Sequence, residues 1–300
     1  MRKYILLMVL VIAAVSAEAG TNKNAGTCVG QFLKIGVGAR PCGMGEAFSA
    51  IADDVNAIYW NPAGLMQIAE KQGTFMHSEW LTDLRYEFLA YCQPMNKGVG
   101  AFSITYLRMG DMEGTDKDEN LIGNFGAYDY ALSMAYALPI PDMDNIYAGI
   151  TGKIIQQKLE KESARAIALD VGILYFDPEI QGLKFAAVLQ NLGSKLKFVS
   201  ESESLPITYK LGVAYERDKL TLAGDVTKPE DNHGRVSIGV EYLHTQNLTF
   251  RLGYNSQNDL DKGWALGTGF KFDSIQIDYG FVPHGKLDNT HRFSLTRKFS

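Results

Sequence analysis

The sequence predicts an all-β protein, a 14-stranded antiparallel transmembrane β-barrel whose lumen holds an N-terminal plug of short helices. Three observations support this fold class. Residues 1–19 have the pattern of a secretory signal peptide. Residues 20–72 show no regular alternation of apolar and polar side chains. From residue 73 onward, segments of about ten residues alternate apolar and polar side chains, which is the period of a β-strand with two different faces.

The signal peptide comes first along the chain. Arg2 and Lys3 precede an apolar run over residues 4–15, and Ala17-Glu18-Ala19 has the small-x-small pattern of a signal-peptidase site. An uncleaved membrane anchor is the alternative, but this run is shorter than the roughly 20 residues that span a bilayer. We therefore expect cleavage after Ala19 and a mature chain in the outer membrane of a Gram-negative-type bacterium. The predicted parts are a signal peptide, residues 1–19, a plug, residues 20–72, and a barrel, residues 73–300.

Charge and composition restrict the function classes. The full chain has a net charge of −5, and without residues 1–19 it keeps 27 basic and 33 acidic residues. An acidic chain without a basic face argues against nucleic-acid binding. Thirty glycines with 15 tyrosines and 15 phenylalanines are typical of a β-barrel with aromatic girdles at the two membrane interfaces. Outer-membrane lipid is thus an expected partner.

The alternating segments predict fourteen strands. They lie near residues 73–81, 85–94, 98–109, 129–140, 145–158, 165–176, 183–198, 206–217, 219–227, 234–244, 247–256, 263–272, 275–283 and 290–299. The 228 residues from 73 to 300 give about 16 residues for each strand and its connection. A membrane-crossing strand needs about 9–11 residues, so each unit has enough for one crossing and a turn.

The connections between these strands alternate in length. Tight turns are predicted at Asp218-Lys219, Thr245-Gln246 and Asp273-Ser274, and longer polar loops at residues 110–124, 158–164, 201–204 and 228–232. Outer-membrane barrels have short periplasmic turns and longer outer loops. The asymmetry places both ends of the barrel in the periplasm.

A secreted β-sandwich is the alternative, because its strands also alternate. Aromatic residues near strand ends on the apolar face favour the barrel, since a sandwich buries that face and needs no special residues at its ends. They are Tyr130, Tyr136, Tyr209, Tyr215, Tyr242, Tyr254, Trp264 and Phe281.

The segment before the first strand is predicted to fold inside the barrel, because a lumen of fourteen strands is too wide for its own side chains to fill. Residues 46–52 are predicted to form about two helical turns, and Asp53 or Asp54 to cap a second short helix over residues 55–59. Pro62 and Gly64 end that helix, with Gly64 in a flexible or left-handed conformation. The glycine-rich residues 36–45 match neither GxGxxG nor GxxxxGK[ST], which disfavours nucleotide binding.

Four stretches resemble the PorV/PorQ family, which is similar in fold to FadL, the fatty-acid channel of the outer membrane. They are Ala39-Arg40-Pro41-x-Gly43-Met44-Gly45-x-Ala47-Phe48, Ala52-Asp53-Asp54-x-x-Ala57-Ile58-Tyr59-Trp60-Asn61-Pro62-Ala63-Gly64-Leu65, Leu189-Gln190-Asn191-Leu192-Gly193, and residues 278–295. The sequence departs from the family pattern at Cys42 and Glu46, where an aliphatic residue and glycine are expected. It also ends Phe299-Ser300 rather than on an aromatic residue, although the alternation of the last strand still predicts recognition by the barrel-insertion machinery.

The resemblance implies a plugged 14-stranded barrel and two functions. The best-known members of the PorV/PorQ family act in type IX secretion. One of them binds the C-terminal signal of secreted cargo and shuttles the cargo to an attachment complex. Binding of cargo or of secretion-complex subunits is therefore the first hypothesis. The second is a FadL-like channel for hydrophobic small molecules, such as long-chain fatty acids, gated by the plug. A purely structural barrel is the third.

Two groups of plug residues are the candidate sites. The gate motif comprises Tyr59, Trp60, Asn61, Pro62, Ala63 and Gly64, and the plug turn comprises Arg40, Pro41, Gly43 and Gly45. In the channel hypothesis Asn61 holds the plug by hydrogen bonds and a shift of the plug opens a path. The alternative for the same residues is a helix terminator that only shapes the plug.

No enzyme, metal or cofactor is predicted. The five histidines, His77, His233, His244, His284 and His291, are scattered, and only His291 beside Ser294 or Asp278 suggests a catalytic pairing. The three cysteines, Cys28, Cys42 and Cys92, do not have the spacing of metal ligands. Two alternatives stay open for them: a Cys28–Cys42 disulfide, or three free thiols. The predicted luminal charges have mixed signs, which favours ion-paired packing against the plug. They are Asp170, Lys210, Glu216, Asp225, Arg235, Glu241, Arg251, Lys271 and Asp278.

Overall fold

The computed structural model describes most of the chain. The described residues are 26–80, 84–110, 112–115, 117–118, 120–160, 162–198, 201–256, 263–283 and 289–299. The predicted signal peptide and its cleavage site after Ala19 lie outside them, as does His284. Among the described helices, none is both long and apolar enough to cross a membrane.

Strands dominate the fold. In chain order they are β1 (Lys71–Glu79), β2 (Arg85–Met95), β3 (Gly98–Arg108), β4 (Met112–Thr115), β5 (Leu121–Phe125), β6 (Ala127–Pro139), β7 (Ile146–Leu159), β8 (Glu162–Phe176), β9 (Leu183–Gly193), β10 (Leu196–Phe198), β11 (Glu201–Glu203), β12 (Thr208–Arg217), β13 (Leu220–Pro229), β14 (Arg235–Leu243), β15 (Leu248–Asn255), β16 (Trp264–Phe272), β17 (Ile275–Val282) and β18 (Thr290–Phe299).

Fourteen of these strands form one closed antiparallel barrel. Each pairs with its neighbours in chain order, with β3 followed by β6 and β9 followed by β12. The barrel closes where β1 pairs with β18, from Lys71 opposite Phe299 to Glu79 opposite His291. The predicted 14-stranded antiparallel barrel is confirmed, and each predicted strand corresponds to one strand of the barrel.

Two small hairpins lie outside the barrel, within connections between its strands. One pairs β4 with β5 and the other pairs β10 with β11. The prediction of one strand over residues 183–198 is wrong at its end, because β9 stops at Gly193. Asn191 has a left-handed backbone, with φ of 62°, and the pairing register of β8 and β9 shifts between Leu169 and Val171. A bulge of this kind ends a regular ladder.

Connection lengths define two ends of the barrel. The turn end carries the two-residue turns at 218–219 and 273–274, and the loop end carries the longer connections, such as 194–207 and 230–234. Both two-residue turns match the prediction, and Asp218 and Asp273 adopt the left-handed backbone that they require, with φ of 54° and 53°. The third predicted tight turn, Thr245-Gln246, is a four-residue connection from 244 to 247.

The polar loop predicted at residues 158–164 is wrong. β7 and β8 stay paired to their tip, where Leu159 lies opposite Glu162. Arg165 donates from Nε to Gln156 Oε1 across this pair at 2.8 Å, and Glu160 has the left-handed backbone of a tight turn, with φ of 54°. Cross-strand side-chain pairs therefore continue the ladder where composition alone indicated a loop.

The two faces of the barrel have opposite character, as the alternation predicts. Large apolar side chains face outward, and Met134 and Ile167 are 76% and 65% exposed. Four of the predicted girdle aromatics are exposed on this face, namely Tyr209, Tyr242, Tyr254 and Trp264. Inward positions hold small or polar residues such as Thr74, Ser103 and Thr151, all buried. An apolar exterior around a polar interior is the arrangement of a barrel that sits in lipid.

Residues 26–70 precede β1 and pack inside the barrel; we refer to them as the plug. Their regular elements are short: 3-10 helices at Gln31–Lys34 and Pro62–Gln67, and α-helical turns at Ala39–Gly43 and Ala57–Trp60. The rest of the plug consists of turns and extended backbone. Short elements joined by turns allow the plug to fit in a lumen that the barrel wall encloses on every side.

Two details of the predicted plug are wrong. Residues 46–52 form turns rather than a helix, since Glu46 and Ala52 have left-handed backbones with φ of 69° and 30°. The Asp225 carboxylate of β13 accepts hydrogen bonds from the backbone N–H groups of Phe48 and Ser49 at 3.2 and 2.9 Å. These amides are thereby satisfied by the barrel wall instead of by a helix.

The predicted second helix is present but shorter. It begins at Ala57, and Asp54 does not cap it directly. The Asp54 carboxylate accepts from the backbone N–H of Asn56 at 2.9 Å, which forms the turn before the helix.

A charge on the outward face tests the membrane orientation. Leu252 lies in the middle of β15 and is 46% exposed. We expect Leu252→Arg to lower the free energy of unfolding by about 2–4 kcal/mol in lipid vesicles, because an arginine at the bilayer midplane loses its hydration. Urea titration followed by heat-modifiable gel migration measures this change. Gln246→Arg, in the exposed turn after β14, is the matched control and should leave stability unchanged; equal stability of the two variants would contradict the assigned outward face.

Candidate functional site

The plug fills the lumen with a small apolar core. Phe48, Ile51 and Trp60 of the plug are buried together with Met76 and Phe88 of β1 and β2. The Phe48 and Trp60 rings meet edge to face, with centroids 6.2 Å apart. The barrel thus shares its interior apolar cluster with the plug instead of building one from its own strands.

Arg40, in the predicted plug turn, is the centre of the charged contacts between plug and wall. Its Nε and Nη2 groups donate to both oxygens of Glu241 on β14, each at 2.9 Å. Nη1 donates to Asp53 and Asp54 in the next part of the plug. A guanidinium holds several carboxylates at once because its five N–H groups lie in one fixed plane.

The ion pairs continue around the wall from Glu241. Arg251 of β15 donates from Nε to Glu241 at 2.6 Å and from Nη1 to Asp278 of β17 at 2.8 Å. The chain of charges from Arg40 to Asp278 therefore ties the plug to three strands. The predicted ion-paired packing of luminal charges is present at Glu241, Arg251 and Asp278.

The plug side of this network is electrostatically matched. Burial alone would lower the pKa of Arg40, but the charges of Asp53 and Glu241 raise it well above its ordinary value. Burial raises the pKa of Asp54 in spite of the opposing charge of Arg40. Arg40 is accordingly a fixed positive charge, held in place by carboxylates from the plug and from the wall.

The remaining predicted luminal charges fall into four groups. Glu216 pairs with Lys184 of β9 at 2.6 Å, Asp170 with Lys153 of β7 at 2.6 Å, and Arg235 with Glu46 of the plug at 3.0 Å. Asp225 binds the plug amides already described. Lys271 lies exposed at the turn end, so its predicted luminal pairing is wrong. Lys210 is buried but has no carboxylate within ion-pairing distance among the described residues.

Asn61 connects three parts of the structure through one side chain. Its Nδ2 group donates to Ser49 O of the plug at 2.9 Å and to Ile173 O of β8 at 3.2 Å, and its Oδ1 accepts from Ala63 N at 3.1 Å. The last contact caps the 3-10 helix that Pro62 begins. Asn61 therefore acts as a helix stop and also bonds to the barrel wall, which combines the two interpretations of this motif.

Gly64 is required by close packing rather than by a left-handed backbone. It lies within the second 3-10 helix, and a Cβ there would overlap with Ala52 O. The wall has matching positions: a Cβ on Gly149 of β7 would meet the Pro62 carbonyl, and one on Gly172 of β8 would meet Asn61 Oδ1. The predicted left-handed conformation of Gly64 is wrong, and the residue is small because two backbones touch.

The plug turn makes the same kind of backbone contact with the opposite wall. Gly45 has φ of 62°, and a Cβ there would lie 2.5 Å from Tyr254 N. A Cβ on Gly43 would lie 2.8 Å from the Gly267 Cα of β16. Pro41 is buried in the same turn, and its carbonyl accepts from Glu46 N at 2.9 Å.

Tyr59 and Trp60 bond within the plug. Trp60 Nε1 donates to Val37 O at 2.9 Å, and the Tyr59 hydroxyl donates to Leu33 O at 3.0 Å. Burial raises the pKa of Tyr59 well above its ordinary value, which keeps this hydroxyl a donor. Both side chains thereby join the first part of the plug, residues 26–38, to its second half.

The Leu189–Gly193 stretch has a structural role that its motif alone did not reveal. Gln190 donates to Tyr59 O, which makes it a wall contact to the gate motif. Asn191 accepts from Lys153 Nζ at 2.9 Å, and its backbone N–H donates to Asp170 at 2.8 Å. Sequence resemblance marked these residues, but no local pattern indicated that they would reach the plug.

A cavity of about 160 Å³ lies between plug and wall at the loop end. Its lining comprises Leu33, Lys34, Tyr59, Gln190, Thr208, Lys210, Thr227, Pro229, Asn232 and Arg235. Three of these residues are cationic, and no acidic residue lines the cavity.

Metal and thiol chemistry find no support in the described residues. Within the described ranges, no group of three or more His, Cys, Asp or Glu residues is placed to hold a metal ion. Cys28, Cys42 and Cys92 are free thiols, so the open question of a Cys28–Cys42 disulfide resolves to unpaired cysteines. His291 Nδ1 shares a hydrogen bond with the Tyr279 hydroxyl at 2.8 Å, while Ser294 Oγ accepts from Ala39 N of the plug at 2.8 Å. The suggested pairing of His291 with Ser294 is replaced by these separate contacts.

The comparisons with known proteins support the fold. The model of the Uncharacterised protein family (UPF0164) matches residues 8–139, and no curated protein matches the sequence. The Ralstonia pickettii toluene transporter TbuX superposes with a TM-score of 0.62 at 11% identity, covering 88% of this chain and 99% of that one. The Pseudomonas putida toluene transporter TodX gives 0.61 at 13%, covering 87% and 96%.

A Pseudomonas aeruginosa FadL homologue is also similar, with a TM-score of 0.58 at 12% identity, covering 92% of this chain and 99% of that chain. At these identities the likeness shows the fold alone, and it confirms the predicted FadL-like barrel. The function of those channels belongs to them, and their similarity to this chain extends over nearly its whole length.

Removing the Arg40 guanidinium tests the plug–wall network. We expect Arg40→Gln to destabilise the seated plug by about 3 kcal/mol, because Asp53 and Asp54 lose their cation while Glu241 keeps Arg251. Hydrogen exchange with mass spectrometry should show faster exchange in residues 36–65 and little change in strands remote from the plug. Arg217→Gln, in an exposed turn, is the matched control. Unchanged protection of the plug in Arg40→Gln would show that these ion pairs do not hold it.

Proposed function

We propose that this protein is an outer-membrane channel for small hydrophobic molecules and that its N-terminal plug is the gate. The observation that carries the proposal is the position of the plug, which occupies the lumen from the loop end to the turn end. Lys34 binds Asp231 at the loop end, at 2.8 Å. Gln67 accepts from Lys184 at the turn end, at 2.8 Å. Passage of any solute along the lumen therefore requires the plug to move.

The contacts between plug and wall suit a movable part. Many are ion pairs and single hydrogen bonds, such as Arg40 with Glu241 and Asn61 with Ile173. Buried ion pairs contribute little net stability because desolvation offsets their attraction. Water that enters the lumen can solvate the separated charges, so the plug can leave its seat at a lower free-energy cost than an apolar core of the same size.

The class of solute follows from the fold neighbours and the setting. The similar structures are toluene transporters, a monoaromatic hydrocarbon channel and a FadL homologue. Apolar molecules are the solutes that the polar outer leaflet of such a membrane retards most, and a plugged barrel gives them a regulated route. Within this proposal Tyr59, Trp60, Asn61, Pro62, Ala63 and Gly64 form the gate, and Arg40, Pro41, Gly43 and Gly45 form the turn that seats it.

A disulfide between plug and wall tests the gate directly. A Cβ at Gly280 of β17 would lie 3.2 Å from both Cβ and Sγ of Cys42, slightly closer than the roughly 3.5–4.5 Å between Cβ atoms in disulfides. We expect Gly280→Cys, in a Cys28→Ser background, to form this bond after treatment with an oxidant. Burial raises the pKa of the Cys42 thiol, so spontaneous oxidation is slow and the unlocked form can be assayed first.

Uptake of radiolabelled toluene and oleate by intact cells is the measurement. We expect oxidation of the Gly280→Cys variant to reduce uptake to the level of cells without the protein, and a reductant to restore it. Gly280→Ser introduces similar crowding without a bond and should not respond to oxidant. Full uptake by a fully cross-linked protein would contradict gating by the plug, and absence of uptake by the wild type would contradict the channel itself.

A role in secretion is the second candidate, and the uneven strand lengths favour it. β7 and β8 have 14 and 15 residues, whereas a crossing strand needs about 9–11. Because they stay paired to Leu159 and Glu162, the extra length projects at the loop end. A projecting hairpin offers a surface for secreted cargo or a secretion-complex subunit.

Site-specific photocrosslinking in cells distinguishes this candidate. Leu159 is 53% exposed at the tip of the hairpin, and Phe272 is 69% exposed at the turn end. If the barrel binds secreted cargo, a photoreactive residue at 159 should capture proteins through their C-terminal domains, and one at 272 should not. Capture of the same proteins at both positions, or at neither, would argue against cargo binding at this surface.

A further inference from the structure

We propose that the cavity at the loop end binds a compact oxyanion, such as phosphate, sulfate or a carboxylate group, between Lys210, Arg235 and Lys34. The proposal does not depend on the conducted solute, because it rests on the charges around this cavity. Nothing in the channel proposal requires an anion, and the two ideas are tested by different measurements.

Lys210 is the residue whose surroundings indicate a bound ligand. It is 3% exposed on β12, and its Nζ group makes no hydrogen bond or ion pair with any described residue. Its ammonium group lies 4.4 Å from the centroid of the Trp60 ring and 5.5 Å from the centroid of the Tyr59 ring. Such cation–π contacts stabilise the charge but leave the ammonium N–H groups without acceptors.

Arg235 supplies a second group without a partner. Its Nη2 group binds Glu46 of the plug at 3.0 Å, and its buried Nε–H has no hydrogen-bond partner in the described part of the chain. A buried charged donor left unpaired is costly. An anion in the adjoining cavity would satisfy donors that the protein itself leaves open.

The charge balance at the cavity also favours an anion. Lys34, Lys210 and Arg235 line it, and no carboxylate does. Asp231 neutralises Lys34 and Glu46 neutralises Arg235, at 2.8 and 3.0 Å. Lys210 is the cation without a direct ion pair among the described residues. The nearby carboxylates of Asp225 and Asp170 act on it only at a distance, because they already bind the plug amides and Lys153. An anionic group in the cavity would give the Lys210 ammonium a direct partner.

The size and polarity of the cavity indicate a compact ligand. A volume of about 160 Å³ equals the space of roughly five water molecules at about 30 Å³ each. Gln190, Thr208, Thr227 and Asn232 add neutral polar groups to the lining. This space fits a tetrahedral or planar oxyanion with a few waters.

The anion would bridge the plug and the wall. Lys34 and Tyr59 belong to the plug, whereas Lys210 and Arg235 belong to β12 and β14. Binding of an oxyanion to both sides would therefore favour the seated plug over a displaced one. By mass action, a ligand that binds only the seated form raises the population of that form.

Calorimetric titration of the purified full-length barrel in detergent tests the site. The probes are inorganic phosphate and octyl phosphate, in a buffer without other oxyanions. We expect saturable phosphate binding by the wild type. In Lys210→Gln the affinity should be at least about 10-fold weaker, because the variant lacks the charge-assisted hydrogen bond from the ammonium group. Lys210→Arg should retain most of the affinity. Lys271→Gln, at an exposed lysine of the turn end, is the matched control and should bind as the wild type does.

The outcomes distinguish the possible sources of the anion and show which results would contradict the proposal. Octyl phosphate that binds no tighter than phosphate indicates a free anion. If octyl phosphate binds more tightly and the gain depends on Lys210, the oxyanion is the head group of an amphipathic molecule. Absence of saturable binding by the wild type, or equal affinity in a Lys210→Gln protein that keeps its heat-modifiable migration, would overturn the proposal.

Discussion

The constraint on which this structure depends is that a closed barrel of fourteen strands cannot fill its own lumen. The wall therefore uses small and polar residues where a soluble protein would place its core, and the plug supplies the missing volume. Gly149 of the wall is small because the backbone of Pro62 and Ala63 lies against it, and Gly172 is small because the Asn61 side chain does. The same fit occurs on the opposite wall, where Gly45 lies against Tyr254. Plug and barrel are thus one packing unit built from two segments of sequence.

Because polar residues are buried in that unit, electrostatic contacts align the plug with the wall. Each wall carboxylate near the plug has a specific partner: Glu241 binds Arg40, and Asp225 binds the amides of Phe48 and Ser49. Because desolvation offsets most of the attraction in a buried ion pair, these contacts contribute more to the position of the plug than to its net stability. A plug shifted by one residue would leave several buried charges unpaired, and that penalty is large.

The sequence predicts the features that are set by the surroundings of the barrel as a whole, with lipid outside the wall and the lumen inside it. Alternation predicts the fourteen strands, since most are apolar toward lipid and small or polar toward the lumen. β2 is an exception, because its inward residues, Tyr86, Phe88, Ala90 and Cys92, are apolar and join the cluster around the plug. Local pattern fails where a distant residue decides the conformation. Residues 46–52 were predicted helical, but Asp225, more than 170 residues away, binds their amides and the chain turns instead. Gly64 was predicted to be a flexible or left-handed position, whereas contact with Ala52 O is what excludes a side chain. The cavity could not be predicted at all, because its lining comes from the plug and from four separate strands.

The two ends of the plug differ in how they are held, and this difference sets the direction of any movement. At the turn end only residues 68–70 separate the last 3-10 helix from β1, so the plug is covalently anchored there. At the loop end, residues 28–34 contact the wall and its connections through noncovalent bonds, such as Lys34 with Asp231 and Val29 with Ser204. In the proposed gating, a displacement of the plug would begin at the loop end and swing about residues 68–70. The cationic cavity lies at that same end, between residues of the plug and residues of the wall. An anion bound there would act where a small change in binding energy has the largest influence on whether the plug stays seated.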